Sequence, residues 1–487
     1  MLVLHLAGTP DEIGMQHGAL ARAEIHQFRR AAYRYLAGDV GRVLGLPRAA
    51  ARLITRPLLL AQARGFVPHI PPAYQRELRG LAAGAGVHFL EAVLLNVIWE
   101  IYLGSGCSEF VVRGRRSADG ALLHGYNYDL LDPGQAFIAP YLALICYQPA
   151  GGAPFAQLNI VGSVGLNAGM SLRGISLAWD NTIARRGAPL LAGAPRRCTP
   201  FVIALRELVE HAETLDHAAE LLRARLPRPT ADIILVSEAR ANRAAALETA
   251  GPALELRPMQ GDAIWSANSF VTPRMTPHER PGPPGGRTGE AGNSQGRYSS
   301  YAELLSGEGP PLDVAGAVDV LRDPYPRERA GYRYPAERLR TICRPLTAFS
   351  LVMQPAAGRI WLGDLNPPAP LGRFVGYDLA RGAALAEPPI PASGFRDALA
   401  GYRYCAIGWH TQAAAALERA LAADGPSAPL HLLLARTYHA QGQPERAAEQ
   451  RALALAAGAR PGRPLPFPSA IEPLIYLDLE GMRKHSA

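Results

Sequence analysis

The chain has 487 residues with 48% hydrophobic content, enough for roughly two to four folding units around a sizeable core. Its formal charge of +8 is mild over this length, and of its 50 basic residues only Lys484 is a lysine. The arginines are scattered without a stripe, so a nucleic-acid partner is not expected. The 49 glycines and 43 prolines stay below the share of roughly 25–30% that marks a disordered chain.

The opening MLVLHLAGTPDEIGMQHG has no basic segment followed by an apolar core, so no secretory signal is expected. Apolar residues three or four apart predict helices over 11–36, 48–65 and 72–103, making the first hundred residues helical. The longest apolar run, LEAVLLNVIWEIYL, is too short to span a membrane. It carries Glu91, Asn96 and Glu100 and reads as a buried helix. A cytoplasmic protein with reduced thiols and no membrane partner is expected. Its cysteines (Cys107, Cys146, Cys198, Cys343 and Cys405) are too widely spaced for a CxxC metal pair or a disulfide framework.

At Gly104 the pattern changes to strands. FVV, ALLHGYN, FIAPYLALICYQ, PFAQLNIVGSVGL and MSLRGISLAW are rich in β-branched and aromatic residues and broken by turn signals such as Asp119-Gly120. Helices over 199–211 and 215–226 follow, then strands in ADIILVSEA, AAALETAG, ALELRPM and AIWSANSF. Residues 272–297 read as one Pro/Gly-rich loop, of a length that is usually functional or disordered, and 281–292 is a candidate cover for a site. TAFSLVMQP and RIWLGDL form a further strand pair before a proline-rich linker over 367–391. Beyond it, Tyr404, Ala413 and Ala420 recur as Tyr438, Ala447 and Ala454, at the period of about 34 residues that marks tetratricopeptide-like helix pairs. Arg451 departs from the apolar position of the first unit. Such units bind protein partners, which is one function open to the tail.

For chemistry, no HExxH, P-loop or GxGxxG is present, and no metal or cofactor is expected. Gly162-Ser163-Val164-Gly165 lacks nucleophile-elbow spacing. Cys107 remains as the candidate nucleophile. No histidine stands at a relay position to serve as its base, and His124 is expected to pack inside the hairpin. If the Gly106–Cys107 bond were cut, the freed α-amino group, with a reference pKa near 7.7–8.0, would suit that task. Glycine before the cysteine leaves the carbonyl uncrowded for attack by the thiol. An uncut cysteine hydrolase with another base, and a non-catalytic scaffold, remain alternatives on the residues alone.

GCSEFVVRGRRSADGALLHGYNYDL resembles the maturation and nucleophile motif of the isopenicillin N acyltransferase-like family, autoproteolytic N-terminal-nucleophile proteins distantly similar to bile salt hydrolases. GTPDEIGMQHG resembles that family's prosegment opening. The resemblance implies an α+β, four-layer αββα fold. It implies a helical prosegment over 1–106 and a catalytic domain over 107–390; the repeat period adds the tetratricopeptide-like tail over 391–487. It implies cleavage between Gly106 and Cys107, with Cys107 as nucleophile and Asp129, at the end of HGYNYD, as the carboxylate orienting its ammonium; on chemical grounds Asp129 could also pair with Arg297. Tyr126 stands where relatives carry Arg or Gln, on the substrate side. GLNAGMSLRGISLAWDNT resembles the region supplying a substrate-facing Asn, here Asn181. WSANSF places the oxyanion amide on Asn268, with Ser269 in place of the common His. NSQGRYSSYAELL places the family's Arg at Arg297. The implied activity is hydrolysis or acyl transfer on a small-molecule linear amide through a thioester, without a cofactor.

Overall fold

The computed structural model describes residues 2–101, 105–130, 138–182, 198–279, 290–307, 309–323, 341–344, 347–363, 368–385, 394–406, 408–426 and 428–457. The chain opens with β1 (Leu2–Gly8) and continues through α1 (Pro10–Leu20), α2 (Arg22–Leu44), α3 (Arg48–Phe66), α4 (Pro72–Ala85) and α5 (Phe89–Ile101). The strands β2 (Ser105–Val112), β3 (Leu123–Leu130), β4 (Leu142–Pro149), β5 (Phe155–Ile160), β6 (Ala168–Ser171) and β7 (Ile175–Thr182) come next, then α6 (Phe201–His211) and α7 (Leu215–Arg223). β8 (Arg228–Glu238), β9 (Arg243–Gly251), β10 (Ala253–Pro258) and β11 (Ala263–Ser266) precede α8 (Glu290–Leu305) and α9 (Val314–Leu321). β12 (Thr347–Gln354), β13 (Arg359–Gly363), β14 (Phe374–Asp378) and β15 (Ala383–Ala384) lead to the tail helices α10 (Phe395–Ala406), α11 (His410–Asp424), α12 (Ala428–Ala440) and α13 (Pro444–Ala456).

These strands form two sheets, β1-β4-β5-β6-β7-β8-β9-β10 and β11-β2-β3-β12-β13-β14-β15. Side chains alternate across a strand, and β2 uses both faces. Phe110 and Val112 pack on Tyr301 and Leu305 of α8 and on Val318 and Leu321 of α9. Val111 points the other way, among Ile233 and Leu235 of β8 and Ala244 and Ala246 of β9. Cys107 and Glu109 share the parity of Val111, so they lie in the layer between the sheets. Gly125 faces Phe110 in the β2–β3 register, and a methyl there would overlap the Phe110 ring. On the far side of the eight-stranded sheet, β4, β5 and the α1–α6 helices share one apolar core.

The GTPDEIGMQHG motif has a structural account. Thr9 and Glu12 form a reciprocal capping box at the start of α1, with Pro10 in its first turn. Gly14 and Gly18 meet α4, where Gly80 and Gly84 meet α1 in return. A methyl at any of the four would run into the partner's backbone. His17 is buried and accepts a hydrogen bond at Nε2 from the Gly162 N–H over 2.9 Å.

Three expectations are corrected. The first hundred residues are not all helical: Leu2–Gly8 is a strand, pairing in parallel with β4. Its LVLHLAG pattern reads as a strand only when a partner that lies far along the chain is known. The stretch 367–391 is not all linker, because β14 and β15 complete the seven-stranded sheet. Residues 272–297 are not one loop. Glu290–Leu305 is helical, and its polar, glycine-containing first turns hide the period that Tyr301 and Leu305 reveal. The candidate cover over 281–292 falls mainly outside the described residues.

In the tail, α10 to α13 pack successively around Leu417, Leu434 and Tyr438. Gly401 rests on Leu417, where a larger residue would collide. Among the described residues no single helix is long and apolar enough to cross a membrane.

Candidate active site

Cys107 lies two residues into β2, fully buried, opposite Tyr128 of β3. Gly106, before it, is opposite Asp129. On the other side of β2, β11 pairs only as far as Ser266 opposite Glu109. Beyond that point side chains replace the missing ladder. The Cys107 N–H donates to Asn268 Oδ1 over 2.9 Å, and the Cys107 carbonyl accepts from Arg297 Nη1. Arg297 Nη2 also donates to Asn268 Oδ1, over 2.8 Å. Arg297 is therefore a fully buried residue one turn or more inside α8, holding both the cysteine and the asparagine.

Asn268 spends its own donor elsewhere: Nδ2 reaches the Asn181 carbonyl over 2.6 Å. Asn181 is thus brought to the site mainly through its backbone, with its side-chain Oδ1 3.5 Å from the same Nδ2, and Asn268 in this uncut chain presents its oxygen, not its amide N–H, to Cys107. The Asp129 carboxylate is held by partners other than the expected Arg297. It receives Arg344 Nη1 over 2.9 Å and Thr347 Oγ1 over 2.6 Å, all three residues being buried. Burial raises its pKa, and the Arg344 and Arg297 guanidinium groups oppose that rise. Tyr126 is buried between the sheets, with its hydroxyl donating to the Trp179 carbonyl over 2.7 Å.

Burial pushes the Cys107 thiol well above its ordinary range. Negative charge on the nearby Asp180 pushes in the same direction, while the neighbouring Tyr126 hydroxyl and the Asp129 backbone oppose it. An uncut, buried cysteine of this kind is a poor thiolate. Deeper between the sheets, Ser266 Oγ lies 2.6 Å from Asp180 Oδ2 and 3.1 Å from Glu109 Oε1, and Glu109 Oε2 lies 2.9 Å from His124 Nε2. His124 is fully buried, and that burial lowers its pKa to about 3.

Sequence reasoning singled out Cys107, Asn268, Arg297 and Asn181, which the fold gathers, and missed Arg344, Thr347, Asp180, Glu109 and Ser266. Glu109 offered a signal: a carboxylate inside CSEFVV, at a position that alternation assigns to a buried face. Among the described residues no group of three or more His, Cys, Asp or Glu side chains is disposed to hold a metal ion.

No protein-family model matches the chain. It is 27% identical over 245 residues to an uncharacterized protein of Archaeoglobus fulgidus, an alignment covering 45% of this chain and 38% of that protein. The chain thus matches well under half the length of this curated relative. Among solved structures it is similar to the Caenorhabditis elegans N-acylethanolamine-hydrolyzing acid amidase ortholog, at 16% identity and TM-score 0.35, covering 51% of this chain and 93% of that one. It is similar to a conjugated bile acid hydrolase of Clostridium perfringens, at 10% identity and TM-score 0.36, covering 58% and 97%. It is also similar to a penicillin V acylase of Agrobacterium tumefaciens, at 11% identity and TM-score 0.27, covering 59% and 91%.

Proposed function

We propose that the chain is a self-processing cysteine amidohydrolase or acyltransferase with an αββα N-terminal-nucleophile fold, cut between Gly106 and Cys107. The observation that carries this reading is the capture of both backbone groups of Cys107 by the side chains of Asn268 and Arg297. Ordinary strand residues are satisfied by a neighbouring strand. Here the nitrogen of the bond to be cut is held by an asparagine oxygen that would equally hold the freed amine.

In the cut, the Cys107 sulfur attacks the Gly106 carbonyl carbon. The thiol proton passes to the Cys107 nitrogen as the C–N bond breaks, leaving a thioester and a free α-amine. Water then hydrolyses the thioester, releasing the Gly106 carboxylate and the thiol. In turnover the α-amine takes the thiol proton, the sulfur attacks a substrate amide carbonyl, and the same proton goes to the departing amine. Water or an acceptor amine resolves the acyl-enzyme. Asn268 and Arg297 position the amine, Asp129 lends it negative charge, and Asn181 and Tyr126 border the substrate side. For Asn268 to serve as oxyanion donor its Nδ2–H must leave the Asn181 carbonyl. Residues 1–106 act as the prosegment, and the tail supplies tetratricopeptide-like units that offer a surface to a protein partner.

Intact mass under denaturing conditions tests the reading. Two fragments of about one-fifth and four-fifths of 52.1 kDa, the larger beginning at Cys107, are expected, with Cys107→Ala remaining whole. A wild-type chain that stays at 52.1 kDa on incubation overturns it.

A further inference from the structure

The polar seam between the sheets has a proton count that its geometry fixes. A serine hydroxyl carries one hydrogen, yet Ser266 Oγ is within bonding distance of two carboxyls, Asp180 and Glu109. Ser266 can donate to only one of them. The other contact is a hydrogen bond only if that carboxyl is itself protonated and donates to Ser266.

The remaining partners say which. Glu109 is ringed by donors: Ser266, the Leu235 N–H over 3.3 Å at Oε1, and His124 Nε2 at Oε2. His124 Nδ1 lies 3.1 Å from Ser176 Oγ, which lies 2.5 Å from Ser237 Oγ, so the two serine hydroxyls can supply the hydrogen on that side and leave Nε2 to donate to Glu109. Asp180 is fully buried, has Ser266 as its hydrogen-bond partner at Oδ2 and has none at Oδ1. Burial raises the pKa of both carboxyls, but an ionised Asp180 would have one hydrogen-bond donor and only the more distant Arg297 guanidinium to offset its charge, whereas an ionised Glu109 has three groups placed to donate to it.

We propose that Asp180 is held as a neutral carboxylic acid, donating through Ser266 to an ionised Glu109, and that it is a positioning residue for Cys107, keeping a second negative charge away from the sulfur. The second half rests on the function proposed above; the first does not. The titratable or charged groups facing Asp180 are Glu109 and Cys107 on β2, Tyr126 and Asp129 on β3, and Arg297, Tyr298 and Tyr301 on α8.

Infrared spectra of the full chain at neutral pH test the protonation. The wild-type minus Asp180→Asn difference is expected to contain the carbonyl stretch of a protonated carboxylic acid, and the wild-type minus Glu109→Gln difference only carboxylate bands. An acid band that belongs to Glu109, or none for Asp180, overturns the assignment. If Asp180→Asn does not fold, Ser266→Ala takes its place: the acid band must shift when its acceptor is removed, and an unmoved band overturns the proposal. For the positioning role, Asp180→Asn, which also keeps this position neutral, is expected to leave the pH midpoint of self-cutting unchanged, and a fall of on the order of one unit, the mark of an ionised wild-type Asp180, overturns it. Should the wild type never cut, the function proposed above fails, and the iodoacetamide alkylation midpoint of Cys107, read by mass over the same pH series, decides the role of Asp180 instead.

Discussion

Cys107 and Asn268 are joined across 161 residues of sequence by one hydrogen bond of 2.9 Å, from the cysteine's backbone N–H to the asparagine's Oδ1. The same oxygen takes a guanidinium hydrogen from Arg297. Asn268→Ala leaves two buried donors without their acceptor, a loss of about 1–3 kcal/mol in stability. If the α-amine is held there, self-cutting and amide turnover fall by about 100-fold or more as well. Urea unfolding and timed mass spectra separate the two effects: a variant as stable as wild type that cuts at the same rate would remove Asn268 from the site.

The pair Arg344–Asp129 is wholly buried, with Thr347 as a second donor. Removing one partner strands the other's charge. Arg344→Met is expected to cost about 3–5 kcal/mol, and the double variant with Asp129→Asn to recover much of that loss. Recovery of stability without recovery of cutting would place Asp129 in the chemistry as well as in the fold. Thermal melts and the processing assay on the same four proteins form the cycle.

Acid sensitivity should have an identifiable source in His17. Its Nε2 accepts a hydrogen from Gly162, which only the neutral ring can do, and burial lowers its pKa to about 3 from 6.5. The unfolded chain therefore binds a proton between pH 6.5 and about 3 that the folded chain refuses, so stability falls as pH falls through that window. From pH 7 to 5 the expected loss is about 2 kcal/mol from this residue. His17→Gln should flatten that part of the urea-midpoint profile; an unchanged slope would mean that other groups govern it.

If the chain is cut, its first part should stay attached. β1 is a member of the eight-stranded sheet, Glu77 of α4 pairs with buried Arg206 of α6 over 2.7 Å, and Asn96 of α5 accepts from the Val164 and Gly165 amides. Both fragments are expected to co-elute on gel filtration without denaturant and to separate only with it. Arg206→Ala, which strands Glu77, should lower the urea needed for separation. Release of the small fragment from native wild-type protein would contradict this.

Much of the architecture could be read in advance because alternation and helical spacing are local. The strands of 105–182 and the two helices after them declare themselves in windows of a few residues. What escaped was non-local or short: Leu2–Gly8, whose partner begins at Leu142, and Phe374–Asp378, set among prolines and glycines. At the site, Cys107, Asn268 and Arg297 could be marked by motif, but motif does not reveal who holds whom. Asp129 was assigned to Arg297, whereas it receives Arg344 from a segment 215 positions downstream, in a stretch with no distinguishing pattern.

The distances in sequence also set an order in time. The side chains that clasp Cys107 stand 161 and 190 positions after it, and its strand is flanked by β11 on one side and β3 on the other. A nascent chain emerging from the ribosome therefore carries an inert thiol until residue 297 has been made and has folded back. If the chain cuts itself as proposed, maturation is timed by completion of the fold, and truncated or misfolded chains do not reach the geometry that would activate them.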